Sequence, residues 1–263
     1  MGWAGFYEAT GQPACAESIT MDCMATNQPS RLASALPESA QRRSVIMLGA
    51  TGAVGGQVVA RLLGPLKNQV ERLTLLGRRP VPNIAGPGLA QHAVDVFAPS
   101  SYQHLLAGHD CAVCTFGAGE SSKLSKAELV KIDKDAVVAF AAACKGAGVR
   151  HFELLCAVGA NAQSPSFYLA LKGELQDALI ALKFERLSLF QPSMILTPTN
   201  RYGVLQGLTL ALWPLLTPVL AGPLHKYRGI AVETLGQAMA NNLFTTGSGT
   251  AYLTWDDFKR LAG

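Results

Sequence analysis

Apolar positions along this chain fall into short runs that end at turn residues and alternate with longer amphipathic stretches. Val45-Ile46-Met47-Leu48 stops at Gly49, and Val58, Val59, Leu62, Leu63 and Leu66 follow at helical spacing. That is a strand, a turn and a helix. The pattern recurs: Leu73–Leu76, His92–Val96 and Cys111–Phe116 read as the next three strands. A long helix is predicted between residues 126 and 148, with Val137, Val138, Phe140, Ala141 and Cys144 as its apolar stripe and Gly146 or Gly148 as its stop. Phe152–Cys156 and Leu187–Phe190 are the fifth and sixth strands, a helix around 167–183 lies between them, and Ile230-Ala231-Val232 is a further strand-like run. Short apolar strands separated by helices predict an α/β fold, a doubly wound parallel sheet with helices on both faces.

Two stretches fall outside that pattern. Residues 1–43 are rich in Ala, Ser, Thr, Gln and Pro without a sustained period, and read as a poorly ordered extension ahead of a domain spanning 44–263. They lack a basic start followed by an apolar stretch, and their acids (Glu8, Glu17, Asp22, Glu38) argue against an organelle-targeting peptide. Met21 and Met24 offer alternative starts. The second stretch, Tyr202 to Leu224, has no charged residue and is dense in leucine. Its length permits a bilayer span, but Pro214, Pro218, Gly203 and Gly207 break or weaken a helix there. A substrate lid or a dimer face is the first reading, peripheral membrane contact the second and a true span the last.

Composition narrows the function classes. Of 263 residues 49% are hydrophobic and only 15% charged, which excludes disorder of the whole chain. The net charge of +4 comes from scattered lysines and arginines with no basic run and no interleaved aromatics, so a nucleic-acid partner is not expected. A mean hydropathy of +0.22 is accounted for by buried strands and alanine-rich helices as well as by the 202–224 stretch. The six cysteines match neither a disulfide framework nor paired zinc knuckles. Cys111 and Cys114 form a CxxC, but three apart on a strand they point to opposite faces and read as buried thiols. No metal is expected. Reduced thiols and the lack of a targeting segment predict a cytoplasmic protein.

The turn Gly49-Ala50-Thr51-Gly52-Ala53-Val54-Gly55 joins the first strand to the first helix. In such a turn the first glycine permits the tight bend, the second lets a pyrophosphate approach the backbone and the third lets helix and strand pack closely. The helix N-terminus adds N–H groups and the positive end of its dipole. Dinucleotide binding on a Rossmann-type sheet is therefore predicted. The acid that would hold an adenosine ribose diol after the second strand is missing, and Gly77-Arg78-Arg79 stands there instead. Arginine pairs with a 2′-phosphate in forked geometry, which favours NADP over NAD, the alternative being two solvated surface arginines. Asp95 is a candidate acceptor for the adenine amino group, with Val96 against the ring; a strand-end cap is the competing role.

These residues resemble the atypical branch of the short-chain dehydrogenase/reductase superfamily. GATGAVG, the strand-end GRR, DCAVCTFGAG, KIDKDAVVAFAAACKGAGVRHFELLCAVGA and FYLALKGELQDALIALKFERLSLFQPSMIL carry the likeness, which covers about residues 44–260. Within the branch the chain is most similar to the Tat-interacting-protein-like oxidoreductases. The resemblance implies that Phe116 and Gly117 border the cofactor, and that Tyr168 and Lys172 are the catalytic pair, with Lys172 also holding the nicotinamide ribose. Four residues apart on a helix, the two face the same way, and an ammonium beside a phenol is expected to lower its pKa toward working pH. A surface helical pair is the bland alternative. One departure stands out: the family's serine after the fifth strand is replaced by Cys156-Ala157, neither of which replaces a hydroxyl donor well, while Ser164 and Ser166 lie nearer Tyr168 in sequence. Cys156 as a nucleophile is disfavoured, since the nearby His151 points to the other face of the strand. The expected activity is hydride transfer between NADPH and a carbonyl or hydroxyl carbon of a small, apolar substrate, by a monomer or homodimer. The alternative is a catalytically silent NADPH-binding protein that regulates partner association.

Overall fold

A computed structural model describes residues 42–119, 123–197, 220 and 222–263. Seven strands form one sheet: β1 (Arg43–Leu48), β2 (Val70–Gly77), β3 (Leu89–Ala93), β4 (Cys111–Cys114), β5 (His151–Leu155), β6 (Arg186–Phe190) and β9 (Gly249–Leu253). Their order is β3-β2-β1-β4-β5-β6-β9 and every pairing in the sheet is parallel. Strands β7 (Ile195–Leu196) and β8 (Ile230–Ala231) pair separately. The helices are α1 (Ala53–Leu63), α2 (Lys126–Val130), α3 (Ala136–Gly146), α4 (Phe167–Ala181), α5 (Val232–Asn242) and α6 (Trp255–Ala262), with a π-helical turn, Lys131–Asp135, joining α2 to α3.

Both faces of the sheet are buried, which is why the strands read as continuous apolar runs. Alternation along β1 sends Val45 and Met47 into a core with α1, α5 and α6, and Ile46 and Leu48 into a second core with α3 and α4. The same alternation parts the CxxC: Cys111 lies in the first core and Cys114 in the second, both free thiols. On α4, Leu171, Leu175 and Leu179 are buried at intervals of four, each contributing about 1.5–3 kcal/mol of apolar burial.

Four elements depart from the sequence reading. β3 lies three residues earlier than its apolar run suggests, because Leu89 to Ala93 pair with Leu73 to Gly77 at an edge where burial is only partial. Val232 begins α5 rather than continuing a strand. The edge strand β9 and the helix α6 carry no long apolar run and were not expected. The segment 202–219, with the lid, dimer-face and membrane readings attached to it, lies outside the described residues, as do residues 1–41. Among the described residues no helix is long and apolar enough to cross a membrane.

Candidate functional site

The sheet's order reverses between β1 and β4, and the chains leaving these neighbours part to opposite faces, opening a crevice beyond their carboxyl ends. Gly49 sits at its base with φ +99, a conformation L side chains rarely adopt, and a Cβ there would lie 2.5 Å from the Phe116 nitrogen. Thr115 ties the two strand ends together: its N–H donates to the Leu48 carbonyl at 2.9 Å and its hydroxyl to the Gly49 carbonyl at 3.0 Å. Gly52 is the N-cap of α1. No side chain caps this helix and no acid sits in its first turn, which leaves its N-terminal N–H groups to an anion. A Cβ on Gly55 would run into the Gly49 carbonyl, so this glycine, like the buried Val54, serves the packing of α1 behind the turn, while Ala53 is partly exposed.

The resulting cleft of about 140 Å³ is lined by Leu48 to Gly52, by Gly77 to Val81, by Gln91, His92 and Val96, and by Thr115 to Gly117. Arg78 and Arg79 are exposed on its wall, and no partner for either guanidinium is found among the described residues. Gln91 holds the loop that carries them, accepting from the Val81 N–H at 2.8 Å and donating to the Val81 carbonyl at 3.3 Å. Val96 is buried on the cleft floor. Asp95 does not border the cleft; its Oδ1 accepts from the Phe97 N–H at 2.9 Å, the strand-end role. Gln91 and His92 were not singled out by sequence, since β3 was placed too late along the chain.

At the cleft's other end the loop after β4 meets the catalytic candidates. Asp133, in the π-helical turn, accepts from the Ala118 N–H through Oδ1 at 2.6 Å and holds the Lys172 ammonium through Oδ2 at 3.0 Å. Both side chains of the ion pair are buried. The Lys172 nitrogen stands 5.7 Å from the centroid of the Tyr168 ring, so the two do share one face of α4, and Tyr168 is 39% exposed. Burial alone would lower the Lys172 pKa, but Asp133, with Tyr168 and Cys156, outweighs it and keeps the ammonium above its usual value. Tyr168 behaves contrary to the expectation from spacing: desolvation pushes the phenol above its ordinary value, Lys172 pulls it down, and Asp133 and Cys156 add to the rise.

Residues 49–186 match the protein family described as NAD(P)H-binding. The chain belongs to this NAD(P)H-binding family. Rat protein HTATIP2 is 32% identical over 211 residues, 80% of this chain and 84% of that protein, and protein FMP52, mitochondrial, of Lodderomyces elongisporus is 31% identical over 240 residues, 82% and 98% of the two. Among solved structures, MoeE5 in complex with UDP-glucuronic acid and NAD superposes with a TM-score of 0.62 at 17% identity, covering 80% of this chain and 75% of that one. The Bordetella bronchiseptica enzyme WbmH in complex with NAD+ gives 0.59 at 14%, covering 81% and 75%. These likenesses agree with the doubly wound sheet and with the resemblance to short-chain dehydrogenases/reductases.

The cytoplasmic expectation is overturned: relatives from Lodderomyces elongisporus, Scheffersomyces stipitis and Candida albicans are named mitochondrial proteins. Its physical basis was weak, since buried free thiols suit any reducing compartment. Against the family's serine, the Cys156 thiol turns inward. It accepts from Gln176 Nε2 at 2.9 Å and faces the Lys172 carbonyl at 3.9 Å, while Gln191 donates to Gln176 at 3.2 Å. Burial raises its pKa, so it is not a ready nucleophile. His151 faces Ser188 at 3.0 Å on the other side of the strand. Ser164 accepts from the Ser166 N–H at 3.2 Å within the turn that leads into α4. No cluster of metal-ligating side chains occurs among the described residues.

Proposed function

We propose that this NAD(P)H-binding protein is an NADPH-dependent oxidoreductase acting on a carbonyl or hydroxyl carbon of a small substrate. The observation that carries the reading is the continuity from the cleft to the catalytic candidates: Gly117 lines the cleft, the next residue's N–H is held by Asp133, and Asp133 holds Lys172 beside Tyr168. The cradle fits a dinucleotide. Only a glycine at position 49 lets the turn close against Thr115 and Phe116, the first turn of α1 is left uncapped for an anion, and Arg78 and Arg79 on the cleft wall would suit a 2′-phosphate. When bound, NADPH supplies the hydride. Gly49, Thr51, Gly52 and the first turn of α1, which includes Ala53, Val54 and Gly55, bind its phosphates; Arg78 and Arg79 select it over NADH; Phe116 and Gly117 border the nicotinamide side. Tyr168 gives a proton to the substrate oxygen and Lys172 orients the ribose.

The test is NADPH consumption over a panel of aldehydes, ketones and quinones, with wild type and Tyr168→Phe. Turnover in the wild type and a loss of about a hundredfold or more in the variant are expected, in line with the removal of a general acid. Tight NADPH binding without turnover on any member of the panel would instead favour the regulatory reading, which the inward-facing Cys156 supports by leaving the substrate oxygen without the family's hydroxyl.

A further inference from the structure

Spacing alone gives a lysine whose charge is free to act on Tyr168. The geometry is different, because a third charged group intervenes. Asp133 is 2% exposed and uses both oxygens, one on the Ala118 N–H and one on the Lys172 ammonium. It projects from a π-helical turn, a local widening of the helix often found at functional sites. Gly117 accommodates it, since a Cβ there would lie 3.2 Å from Oδ1. We propose that Asp133 is the positioning residue of this site: by gripping the loop after β4 and Lys172 together it fixes the nucleotide cleft to the catalytic helix, and by pairing with the ammonium it limits the pull of Lys172 on the Tyr168 phenol.

The proposal rests on the reading of Tyr168 and Lys172 as the reacting pair. The charged or titratable groups facing Tyr168 are Lys172 on its own helix, Asp133 on the π turn and Cys156 after β5, and Cys114 at the end of β4 also senses the ion pair. Both thiols stay neutral: burial pushes Cys114 up to about 12 and raises Cys156. Burial is the largest influence on the phenol and raises it; Lys172 pulls it down and Asp133 opposes Lys172, so the phenol keeps its proton above its ordinary range. In reduction, the carbonyl carbon accepts a hydride with its electron pair from NADPH, the carbonyl oxygen takes the Tyr168 proton, and the phenolate regains a proton from solvent. NADPH is oxidised and the carbonyl reduced.

The test reads tyrosinate by its ultraviolet absorbance against pH in the full chain, subtracting Tyr168→Phe to isolate Tyr168. In Asp133→Asn, which keeps an acceptor for Ala118 but leaves the ammonium uncompensated, the Tyr168 ionisation should move about one pH unit lower, the scale on which a nearby charge acts. The alkaline limb of NADPH-driven reduction should move down with it. An unmoved Tyr168 ionisation overturns the proposal. Should Asp133→Asn not fold, because a buried ammonium has lost its partner, Lys172→Gln and the double variant Asp133→Asn with Lys172→Gln carry the test: removing the carboxylate must lower the Tyr168 ionisation between these two, and no difference again overturns the proposal. A wild type that reduces nothing, yet shows the tyrosinate shift in Asp133→Asn, upholds the charge coupling and sinks the oxidoreductase reading, so the two failures are distinguishable.

Discussion

Glu153 lies in the middle of β5 with 0% exposure, its Oε1 accepting from Asn242 Nδ2 at 2.7 Å and its Oε2 without a hydrogen-bond partner. Around it stand His151 on the same strand, with Nε2 at 3.6 Å, Arg186 on β6, and Cys111 on β4. Burial pushes its carboxyl from an ordinary 4.5 up to about 8, against the pull of Asn242 and Arg186. The same burial, reinforced by Arg186 and Arg43, drives the His151 imidazole well below 6.5. Between pH 4.5 and 8 the folded protein holds a proton on Glu153 that the unfolded chain has released. The stability from this group is thus complete below 4.5 and is lost as pH rises through 8. His151 has the opposite sign, since below about 6.5 only the unfolded imidazole takes up a proton. The two slopes oppose one another from 4.5 to 6.5, and from 6.5 to 8 Glu153 acts alone. One and a half pH units at about 1.36 kcal/mol each amount to a loss of about 2 kcal/mol, a large share of a typical domain's stability. Glu153→Gln keeps an acceptor for Asn242 and removes the titration. In urea denaturation from pH 5 to pH 9, the stability of the variant minus that of the wild type should climb by about 4 kcal/mol between pH 5 and 8 and then level off. A difference that stays flat across this range refutes the reasoning and means that water or a rearranged partner reaches Oε2.

Two shorter predictions concern the nucleotide cleft. Arg78→Ala and Arg79→Ala together should weaken NADPH binding about ten- to hundredfold, the loss of charge-assisted hydrogen bonds worth about 1.5–3 kcal/mol, and leave NADH binding unchanged; fluorescence titration with both nucleotides decides, and equal losses sink the 2′-phosphate argument. Gly55→Ala drives a methyl group into the Gly49 carbonyl and to 2.7 Å from the Thr115 hydroxyl, so it should cost about 1–3 kcal/mol in urea denaturation and loosen NADPH binding as well. Unchanged stability would show that the turn can give way.

How much of the fold could be read from sequence followed from burial. Strands covered on both faces, β1, β4, β5 and β6, announce themselves as apolar runs, and their expected positions lie within two residues of the observed ends. Edge strands do not. β3 is only partly buried over Leu89-Ala90-Gln91-His92-Ala93, so the apolar Val94 and Val96 beyond it drew the expectation three residues too far, although Val96 is buried because it floors the cleft rather than because it pairs. β9 is mostly exposed and gave no signal at all. α6 did carry one that went unread: Thr254 and Asp257 stand three apart ahead of Phe258, and the Asp257 carboxylate accepts from the Thr254 N–H at 3.0 Å as a capping pair does.

The site was legible in pairs and failed at the third body. Gly49 makes the tight bend and Gly55 the close helix packing that their spacing implies, because each is a local matter of backbone room. Tyr168 and Lys172 likewise meet because a helix brings residues four apart together. The sign of the perturbation on Tyr168 did not follow from that pair, since it depends first on burial of the phenol and then on Asp133, which comes from another helix 35 residues earlier in the chain. A trace of Asp133 was nonetheless present. It lies four residues from Leu129 and four from Val137, both buried, which places an acid on the apolar stripe of its helix, just as Lys172 interrupts the buried Leu171 and Leu175 on α4. A buried charge needs a partner of opposite sign. Two such interruptions, one acidic and one basic, sit on helical segments that pack against each other and meet as the ion pair. The π-helical turn that brings the carboxylate to both Ala118 and Lys172 leaves no such mark in the sequence, because its only requirement is that those two partners be there to meet it.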